Sequence, residues 1–159
     1  GARERSMSNV KRKERVGVVG PWIAVSIGFL RSEARTRLSP HASKLLLDVL
    51  SMLKPNGVGN GDISLTPSLM KPRGWSSRAT LRAAIQELWD AKLLFQTKQG
   101  HRFATSLWAL TLYPIACDFS KLDINHGMHT THDYLGSEGK LGKSVSKDNP
   151  ISWNKLPRK

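Results

Sequence analysis

Arg78, Arg82 and Gln86 follow one another at four-residue spacing, with Ala79 and Ala83 between them. At about 100° per residue Ala79, Arg82, Ala83 and Gln86 share one side of a helix, away from a stripe formed by Leu81, Ala84, Ile85 and Leu88, with Arg78 at the edge of that stripe. Arginine forms paired hydrogen bonds to a guanine edge and glutamine to an adenine edge. The small alanines let such a helix sink into a groove about 12 Å wide. A second set of cations, Lys98, His101 and Arg102, surrounds Gly100, and a third, Lys71 and Arg73, precedes the helix. Both are suited to phosphate oxygens. Arg78, Arg82 and Gln86 taken alone are also what a solvated helix face looks like; the neighbouring cations favour base reading.

The stretch Thr66–Pro114 has to position these groups. Thr66 suits an N-cap and Pro67 the first helical position, where a missing N–H costs nothing. Pro72 and Gly74 end that short helix and supply a tight turn. Ser76 or Ser77 caps a second helix that runs to about Lys92. Leu93–Thr97 and Phe103–Leu112 have strand character, with Lys98–Arg102 as the loop tip. Helix, turn, helix and a basic-tipped hairpin is the order of a winged helix-turn-helix unit, with Ser77 at the start of the reading helix.

Composition agrees with a polyanionic partner. The chain of 159 residues carries 25 Lys and Arg against 12 Asp and Glu, a formal charge of +13, and its length allows one domain of about 90–100 residues plus tails. Residues 1–20 hold 6 basic and 2 acidic residues and residues 55–115 hold 7 and 3, so the central unit is basic in its own right. Cys117 is the single cysteine, which rules out an internal disulfide and points to a reducing cytoplasm. No run approaches the roughly 20 apolar residues a bilayer span needs. Pro21 and three glycines interrupt the apolar run 16–30 and argue against an export signal.

Met7 reads as a natural start and residues 1–6 as an addition. Lys11, Arg12, Lys13 and Arg15 then form a cationic arm, equally suited to phosphate contact and to keeping a terminus soluble. Trp22–Ile27 reads as an extended edge segment and Phe29–Arg37 as a short helix. Ser39 and Pro40 open an apolar helix over 40–54 that reads as core. The glycine-rich loop Pro55–Gly61 lacks the Lys-Ser/Thr pair of a phosphate cradle and reads as a turn into a strand at Ile63–Leu65. After Ile115 the chain becomes polar, with few apolar residues to bury. His126, His129 and His132 recur every third residue near Cys117, Asp123 and Asp133, but without paired cysteines the spacing is a weak metal motif. No G-x-S-x-G elbow or other catalytic signature occurs. No enzyme activity, metal or cofactor is expected.

The runs G-N-G-D-I-S-L-T (59–66), K-P-R-G-W-S-S-R-A-T-L (71–81), L-W-D-A-K-L-L (88–94), T-K-Q-G-H-R (97–102) and S-L-W-A-L-T-L-Y-P-I (106–115) carry a resemblance. Over residues 20–117 the chain resembles small winged helix-turn-helix proteins of proteobacterial phages, plasmids and integrated elements. The resemblance implies a winged-helix fold and DNA binding in transcription regulation or replication initiation. Two positions depart from the pattern: Ala79 replaces an acidic residue in the capping turn, and His101 replaces a second glycine at the hairpin tip.

The expectation is therefore an α+β winged helix-turn-helix domain over 20–117, with a three-helix core and a small antiparallel sheet, between a basic arm (1–19) and a polar tail (118–159). Its expected partner is double-stranded DNA. Ser77, Arg78, Arg82 and Gln86 would meet the major groove, Lys71 and Arg73 would add contacts from the turn, and Lys98, His101 and Arg102 would meet phosphate or the minor groove from the wing. The alternative is a protein-docking module that adapts or inhibits a larger machine through Trp22–Leu30 or the tail.

Overall fold

Ser39 opens the longest apolar helix: its hydroxyl accepts from the Ala42 N–H, and Pro40 takes the first helical position. The computed structural model of the chain describes residues 17–124. In chain order its elements are α1 (Ile27–Arg31), α2 (Glu33–Thr36), α3 (Pro40–Met52), β1 (Ile63–Ser64), α4 (Pro67–Met70), α5 (Arg78–Asp90), β2 (Leu94–Lys98) and β3 (Leu107–Leu110). Short 3₁₀ turns lie at Pro55–Gly57, Lys71–Arg73 and Phe119–Lys121.

The mixed α and β composition is as expected, but the described residues hold five α-helices rather than three. The helix expected over Phe29–Arg37 is broken at Ser32. Its hydroxyl donates to the Phe29 carbonyl and accepts from the Arg35 N–H, so one residue ends α1 and starts α2. The segment expected as an extended edge over Trp22–Ile27 joins no strand, and its last residue, Ile27, begins α1. Ile23 and Val25 lie half-buried against the core, and the Tyr113 hydroxyl donates to the Ala24 carbonyl at 2.7 Å.

α3 and α5 pack on each other through Leu45, Leu46, Val49 and Leu50 on one side and Leu81, Ala84, Leu88 and Trp89 on the other. Each such leucine, fully buried, contributes about 1.5–3 kcal/mol of hydrophobic stabilisation. The expected stripe of α5 is the buried one, with Ile85 at its half-exposed margin and Trp89 added to it. Trp89 meets Trp108 of β3 edge to face, at 5.3 Å between ring centroids, which fixes the helix on the sheet. α5 ends two residues before the expected Lys92. Lys92 adopts a left-handed conformation (φ 57°), and Leu93 N–H reaches back to the Leu88 carbonyl at 3.0 Å.

The sheet is antiparallel in the order β1-β3-β2, with Trp108 opposite both Ile63 and Gln96. A bulge between Gln96 and Lys98 alters the register toward the tip. The second strand is shorter than the expected 103–112, because residues 101–104 fold into the turn itself. Ile63, Leu94, Trp108 and Leu110 face the helices. Phe95 and Ala109 face the other way and are covered by Ile115, Phe119, Leu122 and Ile124. The chain after Ile115 is thus not purely polar in effect: as far as Ile124 it seals the back of the sheet. Asp123 pins this return, its N–H donating to the Thr97 carbonyl and its carboxylate accepting from the Gln99 N–H.

The glycine-rich loop is a turn, as expected, and several of its amides are bonded within the fold. Gly59 N–H donates to the Ala116 carbonyl, Asn60 N–H to Gly57 and Asp62 N–H to Gly59.

Candidate nucleic-acid interface

The turn between α4 and α5 aims the exposed helix face. Gly74 takes φ 89°, a conformation that glycine reaches without strain, and closes the Lys71–Arg73 turn. Trp75 is buried behind it, and its indole N–H donates to Asp48 of α3 at 2.7 Å. Lys44 completes the lock: its ammonium donates to the same Asp48 carboxylate and to the Arg73 carbonyl, each at 2.7 Å, and lies 4.8 Å from the centre of the Trp75 ring. One carboxylate and one ammonium on α3 therefore hold the turn from which α5 emerges. Thr66 stands at the α4 N-cap position without a capping side-chain bond, its hydroxyl meeting Ser68 instead.

Ser77 is the N-cap of α5, accepting from the Thr80 N–H at 3.2 Å. Arg78, Ala79, Arg82, Ala83 and Gln86 are all exposed. The ion pairs among the described residues are Arg37 with Glu33, Lys44 with Asp48 and Lys121 with Asp62, so neither Arg78 nor Arg82 is neutralised by a described carboxylate. Gln86 is partly committed: its amide donates to Asp90 one turn on, at 2.9 Å. Its second amide N–H and its carbonyl oxygen remain for paired bonding.

A groove of about 600 Å³ runs between this face and the hairpin. Arg78, Arg82 and Gln86 line one side, Gln99, Thr105 and Ser106 the other, and Gln96 and Trp108 also line it. The structure thus brings the helix residues and the hairpin stem to one cleft. Lys98 is half-buried at the end of β2, while His101 and Arg102 stand exposed at the tip.

Other expected residues are placed differently. Lys71 is exposed, but the Arg73 guanidinium folds back and donates to Ser51 of α3 at 2.7 Å, leaving only its other N–H groups for a ligand. Lys11, Arg12, Lys13, Arg15 and the His126, His129, His132 cluster lie outside the described residues. Trp22, Ile27 and Leu30, within the segment considered for protein docking, are exposed.

Two features were not found by reading the sequence. Phe103 at the hairpin tip is 86% exposed, the most open aromatic side chain among the described residues; its position next to Arg102 in a polar loop was the available signal. Glu87 holds Ser39 across 48 residues of chain, and no local pattern announces such a pairing.

No protein-family model, no curated protein and no solved structure matches this chain. Among the described residues no helix is long and apolar enough to cross a membrane.

Proposed function

We propose that this chain is a winged helix-turn-helix protein that binds double-stranded DNA, with α5 in the major groove and the β2–β3 hairpin as the wing. The observation that carries this reading is the cleft in which Arg78 and Arg82, free of described carboxylate partners, face the hairpin stem. The alanines at 79 and 83 support close approach of α5, and the net charge of +13 supports attraction to phosphate. The sheet order β1-β3-β2, with the hairpin directly after the exposed helix, is compatible with a wing. Transcription regulation or replication initiation on a bacterial mobile element is the role that the sequence resemblance favours.

Within this reading the cations divide into two kinds. Arg82 contacts a base edge, so Arg82→Ala costs about 1–3 kcal/mol of binding and relaxes preference at one base pair. Lys98 contacts phosphate, so Lys98→Ala weakens all sequences alike and flattens the salt dependence by about one unit of slope. Selection from a random duplex pool with each variant tests the division. Equal losses on every sequence for both variants would contradict base reading by Arg82.

A second reading rests on the exposed Trp22, Ile27 and Leu30. In it the domain docks on another protein through this segment and binds duplex weakly or not at all.

A further inference from the structure

The hairpin tip is closed by several short-range hydrogen bonds. His101 and Ala104 exchange both backbone hydrogen bonds, at 2.8 and 3.1 Å, leaving only Arg102 and Phe103 between them. The Phe103 N–H donates to the His101 ring at Nδ1. Beneath the turn, Gly100 N–H donates to the Ser106 hydroxyl, and a Cβ at Gly100 would stand 2.6 Å from the Ser106 backbone nitrogen, so the two strands pinch together there. Neither Arg102 nor Phe103 has a positive φ. The turn is therefore not one of the primed types that two-residue hairpins favour and that Asn-Gly would supply.

A bulky aromatic thus occupies a turn position where small residues serve best, and it is left 86% exposed. Folding gains almost nothing from that ring. Its only described ring partner is the Arg102 guanidinium, 5.5 Å from its centre. The pair presents an apolar wedge beside a cation, with the His101 ring bonded to the Phe103 N–H.

We infer that Phe103 is a wedge that enters between two base pairs from the minor groove when the protein binds duplex DNA; this rests on the DNA-binding reading above. A helix needs the major groove, whereas a two-residue turn is narrow enough for a minor groove about 6 Å wide. The cleft lining places the hairpin stem alongside the exposed face of α5, so a tip beyond that stem lies next to the groove the helix occupies. Arg102 and His101 suit the negative potential of a narrow minor groove. Apolar side chains inserted at a base step unstack it and kink the duplex by about 20–90°, most readily at pyrimidine–purine steps.

The test uses the full chain and a short duplex of TpA steps, with 2-aminopurine replacing adenine as a reporter that brightens when unstacked. Measurements are made at low salt and saturating protein, so that affinity differences do not enter. The wild-type chain raises the emission. Phe103→Ala binds but leaves it at the level of the free duplex, and Phe103→Leu, still an apolar wedge, keeps most of the rise. Arg102→Ala needs more protein to saturate and keeps the rise. Since Phe103 is exposed, all variants melt with the wild-type midpoint. Wild-type binding without a rise, or an equal rise with Phe103→Ala, would overturn the wedge and leave DNA binding standing. Absence of wild-type binding to any duplex would overturn both.

Discussion

Glu87 of α5 grips the residue that starts α3. Its carboxylate accepts from the Ser39 N–H and from the Ser39 hydroxyl, each at 2.6 Å. The same hydroxyl caps α3 by accepting from Ala42. The orientation of the exposed helix face is thus tied to the cap of the helix it packs on, on the side away from Arg78 and Arg82. Glu87→Ala removes two charge-assisted bonds in a half-buried site and should lower stability by about 1–3 kcal/mol, read as an earlier midpoint in urea. Ser39→Ala should lose part of the same energy, so the double variant should be less destabilised than the sum of the two. Strict additivity would mean that the contact is idle.

Asn60 is the polar centre of the fold. It is fully buried; its amide donates to the carbonyls of Leu110, Tyr113 and Pro114, and its carbonyl accepts from the Leu110 N–H. It thereby joins the loop before β1 to the chain leaving β3. Asn60→Ala should cost at least about 3 kcal/mol, since it strands several buried backbone groups. Asn60→Asp has nearly the same shape but turns a carboxylate toward three carbonyl oxygens, so it should rescue nothing at neutral pH. Chemical denaturation checks both, and an Asn60→Asp protein of wild-type stability would contradict this bonding.

Cys117 should behave as an unreactive thiol. Burial pushes its pKa above the ordinary value, Asp62 and Asp118 add to the rise, and Lys121 opposes it. A raised pKa leaves less thiolate at neutral pH, and the thiolate is the species that reacts. Alkylation by iodoacetamide near neutrality should be slower than in urea, with a pH–rate midpoint displaced upward from that of the unfolded chain. Equal rates folded and unfolded would argue that Cys117 is open to solvent.

Much of this was legible because local physics dominates the central stretch. Ser39-Pro40 before an apolar run, the Gly74 turn, the Ser77 cap and the 3.6-residue stripe through Leu81, Ala84 and Leu88 are short-range signals, and each lies where its chemistry places it. The exposed face of α5 followed from the same stripe. What escaped depends on contacts distant in sequence. Glu87 with Ser39 and Trp75 with Asp48 join residues 48 and 27 apart, and neither has a periodic signature. Charge alone groups Arg73 with the outward cations and does not reveal the Ser51 hydroxyl that holds it. Phe119, Leu122 and Ile124 were hidden in a polar composition: three apolar residues are few for a tail but enough to cover Phe95 and Ala109. Ser32 divided an expected single helix because one hydroxyl serves both ends.

If the α5 face and the hairpin engage duplex DNA, binding must depend steeply on salt. Fluorescently labelled random duplex, titrated with the full chain across a salt series, gives the affinity at each step. Neutralising several phosphates releases counterions, so the logarithm of the affinity should fall linearly with the logarithm of salt and drop steeply between about 50 and 200 mM. No duplex binding at about 50 mM, or an affinity that stays flat to 200 mM, would mean that this face does not bind DNA.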